Sequence, residues 1–271
     1  MGFRKFAVCA LAFAATLFQS GTALAAHLVG LGIGRGRVQS LVQRPVPVLM
    51  YHVIGDGPNE LFVSENDFKQ QMEFLARNGY RSVTAARYVE ALNRHEPLPE
   101  KSVVITFDDG YEDVYTKGFA TMRKLGLVGV AFVCSRSIGR PHHVSWEQLK
   151  EMAAAGWEIG CHSATHPDLT KLDEDSLYIE VVQAKREIEE KLGVKVKSFC
   201  YPSGRYDSRV IQMVRSAGYS AAFTVDPRWC SFRDKDFERP RLRVGRSQSL
   251  EGFKRMMFHV PSELNRKVDW R

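Results

Sequence analysis

Val103-Val104-Ile105-Thr106-Phe107-Asp108-Asp109-Gly110 is the stretch that decides the fold: a strand-forming run that passes directly into two carboxylates and a glycine. The same order recurs in Ile159-Gly160-Cys161, which runs into His162-Ser163-Ala164-Thr165-His166. Val48-Leu49-Met50-Tyr51 runs into His52, and Phe199-Cys200-Tyr201 into Pro202-Ser203-Gly204. Helical patterns separate these runs. Ser64 caps an amphipathic helix with Phe68, Met72 and Leu75 on one face and Gly79 just past its end. Further helices are expected up to Leu125, before Gly126, and over 145–155, 174–192 and 207–217, closed by Gly156, Gly193 and Gly218. Strands at 103–107, 129–134, 157–161, 198–201 and 221–225 alternate with them. Strands joined by helices imply right-handed crossovers and a parallel sheet. About seven such units predict an α/β single domain, a distorted (β/α) barrel of about seven strands.

The chain ends read differently. Arg4 and Lys5 precede an apolar stretch from Phe6 to Phe18, and Ala23-Leu24-Ala25 supplies small residues before a cleavage point at Ala26. Residues 1–25 are therefore expected to be an export signal, too short in its apolar part to span a membrane once folded as a helix. Residues 26–45 read as a Gly- and Arg-rich linker, 46–260 as the catalytic domain and 261–271 as a tail. A periplasmic or secreted protein follows, with no stable membrane span after cleavage.

With 44% hydrophobic and 25% charged residues the chain is an ordinary globular one. Its net charge of +7 is scattered, and losing Arg4 and Lys5 leaves 36 basic against 31 acidic side chains. That is no nucleic-acid footprint. Four cysteines remain in the mature part: Cys134, Cys161, Cys200 and Cys230. Three disulfide pairings are open to them, as are buried free thiols. Oligomeric state is unreadable.

In a β/α barrel the active site forms at the carboxyl ends of the strands, where these polar residues lie. Two histidines four apart turn their rings to one point if the segment between them makes a helical turn, and a carboxylate from another strand completes three ligands. Three protein ligands leave a position for water, the catalytic arrangement for a divalent ion that polarises a carbonyl. Adjacent carboxylates at one strand end divide the tasks, one binding metal and one serving as base.

TFDDG at 106–110, HSATH at 162–166 and YPSG at 201–204 resemble the first three motifs of the polysaccharide deacetylases, the carbohydrate esterases similar to chitooligosaccharide deacetylase. The resemblance covers about 45–245. It implies a metal-dependent N-deacetylase acting on an N-acetylhexosamine polysaccharide. Asp109, His162 and His166 would be the metal ligands, with zinc first and cobalt or nickel as alternatives. Asp108 would be the general base, the backbone N–H near Ser203 part of an oxyanion hole, and Tyr201 and Pro202 would line the sugar site.

Two departures redirect the assignment. Many members take a general-acid histidine from a late LxxH motif, where this chain has Leu242-Arg243-Val244-Gly245. PVLMYHVI at 47–54 instead resembles the first-strand motif of the branch acting on poly-N-acetylglucosamine in biofilm, which makes His52 the acid. Many members also pair the base with an arginine two residues before the motif-three proline, where Cys200 stands here; Arg241 is expected to supply that charge. Trp157 reads as core, and Trp229 as a sugar-stacking candidate. O-deacetylation, another amidohydrolase reaction, a peptidoglycan or chitin substrate and a non-catalytic glycan-binding module remain open beside this reading.

Overall fold

In the computed structural model, which describes residues 45–260, alternate residues along each strand face opposite ways and fill two separate cores. The expected leader, the tail and all of the linker before Pro45 lie outside the described residues. The strands are β1 (Val48–Tyr51), β2 (Val53–Ile54), β3 (Phe62–Val63), β4 (Arg81–Ser82), β5 (Ser102–Phe107), β6 (Val130–Val133), β7 (Glu158–Cys161), β8 (Ser198–Cys200), β9 (Ala221–Phe223) and β10 (Leu242–Arg243). Eight of them form one sheet: seven run in the order β10-β1-β5-β6-β7-β8-β9, β4 pairs with β5 off that path, and every pairing is parallel. The chain segment after β9 reaches both edges of that sheet: Arg239 bridges Phe223 on β9, and Leu242 pairs with Leu49 on β1. The barrel expected from the alternation of elements is thus a curled sheet, seven strands along its main path, whose edges this segment joins.

Val48, Val104, Val130, Phe132, Cys200 and Phe223 point into the barrel. Their neighbours Leu49, Ile105, Ala131, Ile159 and Phe199 point out, under the helices. The interior is tight at Gly160, where a Cβ would stand 2.5 Å from the Phe132 ring.

The outer layer comprises α1 (Glu65–Arg77), α2 (Ala85–Asn93), α3 (Ala120–Lys124), α4 (Trp146–Ala154), α5 (Glu174–Tyr178), α6 (Ala184–Leu192), α7 (Ser208–Ser216) and α8 (Leu250–Phe258). Local chemistry sets their ends. The Ser64 side chain accepts from the Asp67 N–H, Ser145 and Gln148 close a reciprocal capping box on α4, and Gly193 ends α6 at φ 69°. The expected helix over 174–192 is continuous, but it widens into a π-turn at Ile179–Gln183 between α5 and α6. A second π-turn, Val114–Phe119, leads into α3. The four cysteines are free and buried, so none of the three possible pairings forms.

Candidate active site

Strand period carries the site residues to one place. Thr106 and Asp108 share the inward face of β5 and its tip with Val104, as His162 continues the inward row of Glu158 and Gly160 on β7 and His52 that of Val48 and Met50 on β1. Asp108 is 2% exposed and is held by Arg241 through two bonds, Nη1 to Oδ1 and Nη2 to Oδ2, each 2.7 Å. The Thr106 hydroxyl accepts from Arg241 at 3.0 Å and donates to the Leu49 carbonyl, and the Cys200 sulfur accepts from Arg241 at 3.0 Å. Burial alone would raise the Asp108 pKa, but the charge and hydrogen bonds of Arg241 outweigh it and hold the carboxyl far below the usual range. His52 Nε2 lies 3.9 Å from Asp108 Oδ2, while its Nδ1 is buried without a protein hydrogen bond. Burial lowers the His52 pKa against the opposing pull of Asp108 and Asp109.

Beside this pair, Asp109 Oδ1 stands 3.4 Å from His162 Nε2 and 3.5 Å from His166 Nε2. Ligands about 2.0–2.1 Å from a tetrahedral ion are separated by roughly 3.4 Å, so these two separations fit a divalent metal, and all three donor atoms lie within 4.8 Å of one another. His162 Nδ1 donates to the Cys200 carbonyl at 2.7 Å, which fixes the tautomer and leaves Nε2 as the ligand atom. Burial opposes charge on His162, but its contacts with Cys200, Asp109 and Asp108 outweigh that and raise its pKa. Burial and the neighbouring His162 lower that of His166. Asp108, His162 and Cys200 form another close group, but the Arg241 guanidinium bonded to both Asp108 oxygens and to the Cys200 sulfur sets a positive charge against a cation there.

The segment between the two histidines is not the helical turn expected from their spacing. Ser163 and His166 both adopt left-handed backbone, at φ 68° and 64°, and the Ser163 hydroxyl accepts from the His166 N–H at 2.9 Å. Asp109 is left-handed too, at φ 72°, so two of the three candidate ligands sit in conformations that cost about 1–3 kcal/mol each.

His52, Asp108, Asp109, His162, His166 and Arg241 are therefore brought together, whereas the expected sugar-binding side chains are not. Tyr201 lies on the outward face of its strand beside Phe199, fully buried, with its hydroxyl donating to the Phe237 carbonyl. Pro202 is buried, and Trp229 is 6% exposed within the outer core, so neither presents a face to a sugar. Ser203 is exposed at φ 53° in the turn after β8. Sequence reasoning missed the Cys200 thiol, which lies beside the Arg241–Asp108 pair and contacts both, and Glu180, which accepts from the histidine loop. Cys200 was legible from period two, since it shares a face with Ser198.

The polysaccharide deacetylase family pattern matches residues 95–222. YxkH of Bacillus subtilis, named for polysaccharide deacetylation, is 32% identical over 208 residues, which cover 77% of this chain and 74% of its own. The chain belongs to the polysaccharide deacetylase family. The deacetylase is also 22% identical over 82% of its length to the poly-β-1,6-N-acetyl-D-glucosamine N-deacetylase of Escherichia coli K12, but it spans only 40% of that protein. Among solved structures it resembles the Streptococcus pyogenes deacetylase PplD in complex with acetate, with a TM-score of 0.76 and 25% identity over 80% of this chain and 100% of that one. IcaB from Ammonifex degensii gives a TM-score of 0.67 and 27% identity over 79% and 96%. In the deacetylase the matched span holds Asp108, Asp109, His162 and His166, while His52 and Arg241 come from outside it.

Proposed function

We propose that this polysaccharide deacetylase removes N-acetyl groups from an extracytoplasmic poly-N-acetylglucosamine exopolysaccharide, using a divalent ion held by Asp109, His162 and His166. The observation that carries the reading is the pairing of that ligand triplet with Asp108 and His52, two proton-handling groups 3.9 Å apart at the same strand ends. When bound, the ion supplies Lewis-acid polarisation of an amide carbonyl and acidifies water. Asp108, kept ionised and oriented by Arg241, takes the proton of the attacking water at Oδ2, the oxygen that faces His52. His52 Nε2, on the side of Asp108 Oδ2, protonates the leaving amine. The Ser203 N–H, in the exposed turn at the end of β8, steadies the oxyanion.

Likeness to the E. coli poly-β-1,6-N-acetyl-D-glucosamine N-deacetylase supports the exopolysaccharide, and the first-strand position of His52 fits that branch. Zinc is the first choice of ion, with cobalt or nickel accepted by the same donors. Among the described residues no helix is long and apolar enough to cross a membrane. Export after cleavage before Ala26 is read out by the intact mass of the protein recovered outside the cytoplasm.

The deciding assay measures acetate release by chelator-stripped protein with and without added Zn²⁺. Oligomers of β-1,6- and β-1,4-linked N-acetylglucosamine serve side by side as substrates. Metal-dependent release from the β-1,6 oligomer is expected. Release from the β-1,4 oligomer alone would reassign the polymer, and stoichiometric metal without release from either would remove N-deacetylation of these glycans. Asp108→Asn should lower turnover by about 10²-fold or more with the metal retained, whereas His162→Ala should lose the metal.

A further inference from the structure

The two histidines of the candidate ion site stand on a loop outside regular secondary structure, and one buried side chain gathers the backbone at its centre. Glu180 Oε2 accepts from the successive N–H groups of Ala164 and Thr165, each at 2.8 Å, and Oε1 accepts from the Thr165 hydroxyl at 2.7 Å. Successive N–H groups next to a left-handed residue form a concavity that takes an anion, and Ser163 at φ 68° supplies that residue here. Glu180 is 7% exposed and lies in the π-turn Ile179–Gln183, one of the wide turns that often mark functional positions in helices. Backbone bonds tether the rest of the loop, His162 N–H to Val133, Ser135 N–H to Ser163 and Arg136 N–H to Ala164, together with the His162 Nδ1 bond to Cys200, the Cys134 thiol on the His162 carbonyl and the Ser163 hydroxyl on the His166 N–H.

We infer that Glu180 is a positioning residue for the ion: its carboxylate fills the concavity at 163–165 and so fixes the separation of His162 and His166. The inference rests on the reading of Asp109, His162 and His166 as ligands. Charge-assisted bonds are roughly twice as strong as neutral ones, so a carboxylate holds a strained loop where an amide holds it less well. Without it, Ser163 and His166 are free to leave the left-handed region, and the two ring nitrogens lose their common point.

The test compares Zn²⁺ affinity, measured calorimetrically on the chelator-stripped protein, with hydrogen exchange of the peptide 160–168. Glu180→Ala should weaken Zn²⁺ binding by about 10–100-fold, with Glu180→Gln restoring part of the loss. Both should speed exchange at 164 and 165. The control is Glu158→Ala, which removes another buried carboxylate that accepts from the Ala86 N–H and the Ser198 hydroxyl at the opposite end of β7. It should lower thermal stability while leaving Zn²⁺ affinity unchanged. Equal loss of affinity in Glu158→Ala, or unchanged affinity and exchange in the Glu180 variants, would overturn the inference. If the wild type bound no Zn²⁺, the ligand reading would fall, and exchange at 164 and 165 alone would decide whether Glu180 holds the loop. Should Glu180→Ala not fold, Glu180→Gln decides.

Discussion

Arg241 and Asp108 are both fully or almost fully buried, and a buried ion pair is stable only when its geometry is good and its other donors are satisfied. Here both conditions hold: two parallel bonds join the pair, and Thr106, Thr224 and Cys200 take the remaining guanidinium donors. A lysine keeps the charge but offers no planar fork, so Arg241→Lys should leave Asp108 ionised yet misoriented. Turnover is expected to drop about a hundredfold with metal content unchanged. Full turnover in that variant would mean that Arg241 serves folding alone. The carboxylates and histidines of this cluster were legible because each follows directly on an apolar strand. Arg241 was legible only as a charge seeking Asp108, and Glu180 not at all, because it reaches the loop from a helix 14 residues beyond His166. The burial of Trp229 and Tyr201 was not legible, because an aromatic side chain in an irregular segment or a motif reads the same from sequence whether it faces solvent or core.

The long helices announced themselves through caps and apolar spacing, but the two-residue strands β2, β3, β4 and β10 are too short to show a period. The π-turns were hidden as well, because an extra residue in one helical turn shifts the apolar face without breaking it. The π-turn Val114–Phe119 begins beside Asp113, whose Oδ1 accepts from the Ile54 N–H of β2 at 3.1 Å. Burial pushes the Asp113 carboxyl up to about 6, only partly opposed by that bond and by Lys117. The folded chain thus holds this proton more tightly than the unfolded one does. Stability from this group is complete below the unfolded pKa near 4 and is lost as pH rises through about 6. Asp113→Asn keeps an acceptor and removes the slope, so its Tm should match wild type at pH 4 and exceed it above pH 6. Parallel Tm curves across that window would refute the assignment. In the neighbouring layer, Gly160→Ala would drive a methyl into Phe132 and lower the unfolding free energy in urea by about 1–3 kcal/mol. An unchanged midpoint would show that the barrel interior yields.

Alternation of strand and helix was enough to give a parallel, barrel-like sheet, yet closure was not legible, because it depends on the irregular segment between β9 and β10. That segment is tied from several sides: Cys230 accepts from the Val46 N–H, Arg239 bridges Phe223, and Arg241 reaches across the interior to β5. Closure by buried contacts with β5, with β9 and with the residues that lead into β1 should make the segment unfold with the barrel rather than before it. The free thiols report on this. Cys134, Cys161 and Cys200 lie at or just beyond the ends of β6, β7 and β8, and Cys230 lies in the closing segment. Burial raises all four pKa values, to about 12 for Cys134 and about 11 for Cys161 and Cys230, so a native barrel should resist alkylation at pH 8. In rising urea, iodoacetamide labelling read by peptide mass should appear at all four positions in a single transition coincident with loss of secondary structure. Labelling of Cys230 at lower urea than the other three would show that the closing segment opens by itself. It would also carry Arg241 away from Asp108, so activity would then be lost before the fold.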